Sequence, residues 1–235
     1  MGQRRTREVQ GRFTHYSLDT PLFCPQSAAV RIGLIFNPTA QGDKARFLQQ
    51  QLDGIRGECV LMPTEGPGHA EVLAEEAVAD GCEVVVAAGG DGTIQEVSNG
   101  LVRHPDGLKQ AALAVLPLGT VNVLARELRI PLDFDSAWRV IQLGVTSRVD
   151  LPWIDFQVDG QAQRRCFPAL AGAGMDARAC ELVQWETKKM SGQFAYLLAG
   201  LQTLREDLPT FTVQTPEKTV RSADLVMFGN GHMYG

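Results

Sequence analysis

The sequence predicts an α/β protein: an N-terminal three-layer, doubly wound domain on a mostly parallel sheet, followed by an incomplete β-sandwich-like domain. In residues 30–147, short apolar runs alternate with amphipathic segments of helical period, a pattern typical of strands joined by helices. From about residue 148 the pattern changes to β-rich segments joined by turns, and residues 148–235 form the predicted second domain. Residues 1–29 contain several arginines with no apolar stretch behind them, which predicts a disordered leader.

Four apolar runs are predicted to form the parallel sheet, at residues 30–36, 59–62, 83–88 and 112–116. The third run, EVVVAA, is almost continuously apolar, as strands are when helices cover both faces of a sheet. Apolar residues recur at spacings of three and four in residues 43–55 and 69–79, which predicts helices that end before Gly57 and Gly81. A helix is expected directly after the third strand, and two more at residues 121–128 and 136–143.

The second domain is predicted to be smaller and to lack some of its strands. Asp159-Gly160 between alternating segments predicts a β-hairpin, followed by a helix at about 192–205 and strands near 211–215 and 223–228. The chain stops within the glycine-rich segment FGNGHMYG, and the strands before it are too few to close a sandwich. We therefore expect the strands that complete this domain to be missing.

The composition excludes several classes of protein. The 235 residues include 22 Lys and Arg against 27 Asp and Glu, a net charge of −5, and 44% are hydrophobic. This composition is that of an ordinary globular protein, and the negative charge argues against nucleic-acid binding through phosphate contacts. No apolar run approaches the roughly 20 residues of a membrane-spanning helix. The five cysteines form no CxxC pair and suit the reducing cytoplasm.

The segment GGDGT at residues 89–93 follows a predicted buried strand and opens a predicted helix. Glycines let the backbone approach a ligand, and the N–H groups of a helix N-terminus attract phosphate. Thr93 and Glu96 have the spacing of a capping box, which would fix where the helix starts. An acidic residue in such a loop, here Asp91, suits Mg²⁺ binding or the acceptance of a proton from an attacking hydroxyl. The alternative is a tight connection without a ligand.

Two further turns follow predicted strands. NPTAQG, residues 37–42, follows the first strand, and PLGTVN, residues 117–122, follows the fourth. In a doubly wound sheet, strand-to-helix turns of this kind lie at the same carboxyl edge, where ligands bind. Each turn alone is an ordinary structural turn, but the three together predict one ligand-binding cleft.

Four segments, NPTAQG, TEGPGHA, AAGGDGTIQEVSNGL and LPLGTVNVLAREL, resemble in order and spacing the diacylglycerol kinase catalytic-domain family, which includes bacterial lipid kinases and sphingosine kinases. The resemblance continues through RVDLPWI, AGAGMDA, SGQFAYLLAGL and FGNGHMYG to the last residue. It implies a cytoplasmic kinase of phospholipid metabolism, peripheral to the membrane, that uses ATP and Mg²⁺ to phosphorylate a lipid hydroxyl such as that of diacylglycerol. The nucleotide is expected between the two domains.

The resemblance also implies roles for individual residues. Asp91 is expected in catalysis or in organising the metal, Asp150 in anchoring a magnesium site, and Asp176 near the lipid head group. The structural alternatives are a charged residue that begins a hairpin for Asp150 and a helix cap for Asp176. The nucleotide contacts implied by the family are Asn37, Thr64, Gly89, Gly90, Asp91, Gly92, Thr93, Thr120 and Asn122.

The sequence departs from the family pattern in three places. Gln95 and Val123 stand where relatives commonly have Asn and Asp, and the later acidic motifs that supply a magnesium site and the catalytic base lie beyond Gly235. The alternatives are a soluble kinase resembling NAD kinases or phosphofructokinases, and a noncatalytic fragment that binds nucleotide or lipid. NPTAQG, GTVN and the absence of a second acidic loop favour a lipid kinase.

The expected partner is a lipid substrate at the membrane surface. Apolar and basic residues at Trp185, Lys188, Lys189 and Met190 are expected either to bind that surface or to form an ordinary helix surface. The sequence identifies neither the lipid nor the oligomeric state, and a homodimer is left open.

Overall fold

The computed structural model describes residues 10–12, 30–38, 43–175, 177–178, 211–214 and 219–232. The chain divides into two compact units. The α/β unit comprises residues 13–152, 165–168 and 232–235, and the β-rich unit comprises residues 1–12, 153–164 and 169–231.

The strands of the described residues are β1 (Gln10–Arg12), β2 (Ile32–Phe36), β3 (Val60–Pro63), β4 (Val84–Gly89), β5 (Ala112–Pro117), β6 (Trp153–Val158), β7 (Gln161–Cys166), β8 (Leu170–Gly174), β9 (Phe211–Gln214), β10 (Thr219–Ala223) and β11 (Leu225–Gly229). The helices are α1 (Asp43–Ile55), α2 (His69–Ala79), α3 (Asp91–Arg103), α4 (Gly107–Gln110), α5 (Val123–Glu127) and α6 (Phe134–Leu143).

The α/β unit is built on a four-stranded parallel sheet in the order β3-β2-β4-β5, which confirms the predicted fold class. In register, Leu34 of β2 lies between Leu61 of β3 and Val86 of β4. From β2 the chain continues to β3, at one edge of the sheet, and from β4 it continues to β5, at the opposite edge. The carboxyl ends of β2 and β4 therefore flank the point where the winding reverses, which is where doubly wound sheets bind ligands.

Helices cover both faces of the sheet. On one face, Leu34, Val86 and Leu116 pack in a single cluster with side chains that include Leu52 of α1 and Trp138 of α6. On the other face, a Cβ added at Gly33 would lie 3.3 Å from the Ala77 Cβ of α2. Burying one large aliphatic side chain contributes about 1.5–3 kcal/mol, so the apolar layers on the two faces stabilise the sheet whose edge carries the turns.

Helix α6 begins earlier than its apolar pattern predicts. The Asp133 carboxylate accepts a hydrogen bond from the Ser136 N–H at 2.9 Å and caps the helix, which starts at Phe134 rather than at Ser136. Helix α4 was not predicted, because four residues are too few to show a helical period.

The described residues of the β-rich unit form three small sheets, β1-β6-β7, β9-β10 and β8-β11. β6 and β7 form the predicted hairpin, and Asp159 and Gly160 both have positive φ, 51° and 79°, as its turn requires. β8 pairs with β11, and β9 pairs with β10. The antiparallel sheets that were predicted for this part of the chain are confirmed.

Residues 10–12 correct the predicted leader. They were expected to be disordered with the rest of residues 1–29, but they form β1, which pairs with β6 in antiparallel register. The edge of β6 offers unpaired backbone N–H and C=O groups, and a short strand can pair with such an edge whatever its side chains. Asp176, the residues from Trp185 to Met190 and the predicted helix at 192–205 lie outside the described residues.

Candidate functional site

The predicted site residues of the α/β unit meet at the carboxyl edge of the parallel sheet. Asn37 follows β2, Thr64 follows β3, and residues 89–93 and 118–122 follow β4 and β5. The Thr64 N–H donates to the Phe36 carbonyl oxygen at 2.8 Å, and the Leu118 N–H donates to the Gly89 carbonyl oxygen at 3.0 Å. These bonds hold neighbouring turns side by side.

The loop at residues 89–93 and the turn at residues 118–122 are in direct backbone contact. A Cβ at Gly90 would lie 3.2 Å from the Gly119 Cα, and a Cβ at Gly119 would overlap the Gly90 Cα. The added Gly119 Cβ would also lie 2.7 Å from the Asn122 Oδ1. Glycine is required at these two positions because the two backbones leave no space for a side chain.

The Asp91 carboxylate joins the same two segments. Its Oδ2 accepts a hydrogen bond from the Asn122 N–H at 3.1 Å, and its Oδ1 accepts one from the Val123 N–H at 2.7 Å. Val123 is the first residue of α5, so the carboxylate satisfies backbone donors that have no partner within that helix. A negative charge is also favourable at the positive end of the helix dipole. Asp91 thus fixes the start of α3 against the start of α5.

The side chain of Asn122 closes the turn before α5. Its Oδ1 accepts a hydrogen bond from the Gly119 N–H at 3.0 Å, and its Nδ2 donates to the Gly119 carbonyl oxygen at 2.9 Å. Asn122 is buried and adopts the left-handed conformation, with φ of 57°, which asparagine tolerates better than most residues. The position of Gly119 is therefore set by a local side chain as well as by Asp91.

The predicted capping box at Thr93 and Glu96 is wrong. Helix α3 begins at Asp91, with Gly90 at its N-cap and no side-chain cap. Glu96 instead reaches α2, where its Oε2 accepts a hydrogen bond from the Ala70 N–H at 3.1 Å. The glycines allow the helix to start early, so Thr93 lies inside its first turn, where its side chain packs on Gly89. Asp91 and Glu96 therefore stabilise the N-termini of two other helices.

The remaining predicted residues differ in exposure. Asn37, Thr120 and Asp150 are exposed, whereas Thr64 is buried. In the part of the chain that the structure describes, no three His, Cys, Asp or Glu side chains come together as a metal site. The magnesium role of Asp150 stays a prediction.

Two described cysteines of the α/β unit, Cys59 and Cys166, are unsuited to nucleophilic chemistry. Burial raises the pKa of the Cys166 thiol to about 12. Burial, and to a smaller extent the charge of Glu58, raises the pKa of Cys59 to about 11. Both thiols are protonated at neutral pH, so neither supplies a thiolate.

Sequence reasoning missed a polar stripe along α3. Asp91, Gln95, Asn99 and Arg103 recur at every fourth residue, a spacing that places them on one side of a helix. Asn99 and Gln95 bind the backbone of Cys166, and Arg103 forms ion pairs with Glu71 and Glu75 of α2. The spacing of four residues can be read from the sequence. The groups that these side chains bind cannot, because they lie far away along the chain.

A doubly wound α/β unit with a glycine loop at its sheet edge is the architecture of a nucleotide-phosphate site. The chain belongs to the diacylglycerol kinase catalytic domain family, whose family model matches residues 31–154. The matched region contains the whole parallel sheet and the three turns at its carboxyl edge.

Individual relatives support the same family. A diacylglycerol kinase of Staphylococcus aureus strain MRSA252 is 34% identical over 180 residues, which are 74% of this chain and 53% of that protein. A crystal structure of a diacylglycerol kinase from Bacillus anthracis str. Sterne superposes with a TM-score of 0.58 at 27% identity. That match covers 88% of this chain and 66% of the solved chain. The chain thus spans about half the length of the Staphylococcus aureus relative.

No helix within the described ranges is both long enough and apolar enough to cross a membrane.

Proposed function

We propose that the chain carries the nucleotide-binding part of an ATP-dependent lipid kinase, which transfers the γ-phosphate of ATP to a lipid hydroxyl such as that of diacylglycerol. One observation carries the proposal: Asp91 locks the glycine loop to the turn before α5, at the reversal point of a parallel sheet. Membership of the diacylglycerol kinase catalytic domain family supports the reaction type.

The glycine loop suits the phosphates of ATP. Gly90 caps α3 without a side-chain cap, and the first N–H groups of a helix are natural phosphate donors. A Cβ at Gly92 would meet nothing within 4 Å, so the loop is open on that side. The Asp91 carboxylate is turned to the amides of α5, where its charge is held by hydrogen bonds. We propose that the nucleotide contacts are Asn37, Thr64, residues 89–93, Thr120 and Asn122.

Magnesium is proposed to arrive on the nucleotide. Mg²⁺ at kinase sites is usually bound through one or two carboxylates together with substrate phosphates. Among the described residues no three His, Cys, Asp or Glu side chains come together, so the proposal gives the protein one carboxylate at most for each metal ion and leaves the other ligands to the phosphates and water. Asp91 and Asp150 are the carboxylates that the family resemblance offers, and we derive no step through a protein-held metal.

Phosphoryl transfer depends mainly on positioning and charge neutralisation. In the proposed reaction the lipid hydroxyl attacks the γ-phosphorus, the bond to the β-phosphate oxygen breaks, and ADP leaves. The hydroxyl proton passes to a carboxylate, for which Asp91 is the candidate among the described residues. The β-rich unit is the part that we propose to bind the lipid, at the membrane surface.

The test is transfer of labelled γ-phosphate from Mg·ATP by the full-length gene product. The acceptors are diacylglycerol, sphingosine, phosphatidylglycerol and NAD, each presented separately. The Asp91→Ala variant is compared with Asp135→Ala, which removes an exposed aspartate from the first turn of α6. Label in a lipid that is lost in Asp91→Ala and kept in Asp135→Ala supports the proposal. Label in NAD alone identifies a soluble kinase, and ATP binding without transfer identifies a noncatalytic nucleotide-binding protein; either result would overturn it.

A further inference from the structure

Residues 165–168 occupy an unusual place in the chain. They belong to the α/β unit, whereas the residues on both sides of them, 153–164 and 169–231, belong to the β-rich unit. The chain therefore returns to the α/β unit for four residues, the last two of β7 and the two that follow it. Cys166 and Phe167, in the middle of this short return, are only 4% and 3% exposed.

The Asn99 side chain binds both the backbone N–H and the backbone carbonyl group of Cys166. Its Oδ1 accepts a hydrogen bond from the Cys166 N–H at 3.0 Å, and its Nδ2 donates to the Cys166 carbonyl oxygen at 3.1 Å. The same Nδ2 donates to the Gln95 carbonyl oxygen at 2.8 Å. A buried amide with both of its polar atoms paired holds one geometry, because any displacement leaves polar groups unsatisfied.

The neighbouring residues of the segment are held as well. The Gln95 Nε2 donates a second hydrogen bond to the Cys166 carbonyl oxygen, and Arg165 forms an ion pair with the buried carboxylate of Glu71. The Phe167 N–H donates to the Pro152 carbonyl oxygen at 2.9 Å. Three consecutive residues are thus fixed, and Asn99 and Gln95 lie on the helix that begins in the glycine loop.

We propose that Asn99 is a positioning residue of the kinase: it holds residues 165–168 on α3, within the α/β unit. The proposal rests on the proposed function, since the chain on either side of this segment belongs to the unit that we propose to bind the lipid. Asn99 is eight residues beyond Asp91 on α3, and none of its hydrogen bonds involves the glycine loop. Its removal therefore affects the phosphorylation step more than the binding of ATP.

The variants separate this role from a general loss of folding. Asn99→Leu removes the two hydrogen bonds that Asn99 makes to Cys166 while filling most of the same volume. Gln95→Leu removes the third hydrogen bond to Cys166 and leaves Asn99 in place. Val102→Ala, on the exposed face of the same helix, is the control. Each variant of the full-length gene product is compared for ATP affinity, kcat and KM with diacylglycerol vesicles, and alkylation of Cys166.

The alkylation rate of Cys166 measures how firmly residues 165–168 are held, and it does not depend on kinase activity. Trypsin cleaves after Arg165 and Arg178, so the peptide from Cys166 to Arg178 carries a single cysteine for mass spectrometry. A net contribution of about fivefold for each hydrogen bond predicts that Asn99→Leu raises the Cys166 alkylation rate roughly 10- to 30-fold, with a smaller rise in Gln95→Leu. Val102→Ala is expected to match the wild type.

The kinetic result expected for Asn99→Leu is a kcat lower by about 10- to 100-fold, with the affinity for ATP within about twofold of the wild type. An unchanged alkylation rate, an unchanged kcat, or an ATP affinity that falls as much as kcat would each overturn the proposal. A wild-type protein that binds ATP but phosphorylates no lipid would overturn the proposed function and the catalytic half of this one. In that case alkylation still decides whether Asn99 holds the segment.

Discussion

Replacing Asp91 by alanine removes the link between the glycine loop and helix α5. Two backbone amides, those of Asn122 and Val123, lose a charged acceptor at 3.1 and 2.7 Å. Hydrogen bonds to charged groups contribute about 1.5–3 kcal/mol each when well buried, and loss of a helix cap costs about 0.5–2 kcal/mol. Because Asp91 is only half-buried and water can replace part of the loss, we expect the free energy of unfolding to fall by about 1–3 kcal/mol.

The assay combines stability with nucleotide binding. At about 2–4 °C per kcal/mol for a chain of this size, the melting temperature of Asp91→Ala is expected to fall by roughly 2–12 °C in a circular-dichroism melt. ATP affinity, measured by calorimetry, is expected to fall more than about tenfold, because the Gly90–Gly119 contact is no longer held. Asp135→Ala provides the matched control for loss of one negative charge.

Asp91→Asn separates a holding role from a purely catalytic one. Asparagine retains one acceptor oxygen, but its NH₂ group faces an amide N–H that has lost its acceptor, so stability and ATP affinity fall here too. A purely catalytic carboxylate predicts lost phosphoryl transfer with unchanged stability and ATP affinity. That outcome, or a melting temperature of Asp91→Ala equal to that of the wild type, would refute the reasoning.

Three further predictions concern other residues. Gly119→Ala is expected to abolish ATP binding, because its Cβ would overlap the Gly90 Cα. Gly54→Ala is the control, since a Cβ there meets no atom within 4 Å, and it should leave ATP affinity unchanged in the same calorimetric assay. Equal ATP affinities of the two variants would contradict the close contact. Since burial raises the pKa of Cys166 to about 12, iodoacetamide is expected to label its tryptic peptide only slowly in the native wild type at mildly alkaline pH, and rapid labelling would contradict this. The hydrogen bond from the Ser136 N–H holds the pKa of Asp133 below its ordinary 3.8. The stability that Asp133 contributes is therefore complete above that pH and is lost as the pH falls through the folded-state pKa. In urea unfolding, Asp133→Ala and the wild type should differ in stability at neutral pH and converge in acid.

The sequence was sufficient for the features that depend on local pattern. Apolar runs located β2, β3, β4 and β5 to within a few residues, and the residue pair at 159–160 located the hairpin turn. The three strand-to-helix turns could be placed at one edge because parallel topology leaves them no other position. The same argument placed Asn37, the glycine loop and the turn at residues 117–122 at one edge, whereas Thr64 was implied only by the family resemblance.

The contacts that shape the site could not be predicted, because they join residues distant in the chain. A local rule paired Thr93 with Glu96. In the structure, Glu96 instead accepts a hydrogen bond from the Ala70 N–H of α2, and Ala70 lies too far away in the sequence for a local rule to include it. Asp91 and Asn99 likewise bind partners 31 to 32 and 67 residues away. β1 was not predicted, because it pairs with the edge of β6 through backbone groups, and such pairing requires no side-chain pattern that the sequence would show.

The most direct test of the central claim is hydrogen exchange of the full-length gene product with and without Mg·ATP. The claim is that residues 89–93 and 118–122 form one phosphate-binding site, held together by Asp91. It predicts that ATP slows amide exchange in both segments together, that the hairpin at residues 153–164 is unaffected, and that Asp91→Ala loses the protection in both segments. Protection confined to one segment, or found only elsewhere in the chain, would contradict the account.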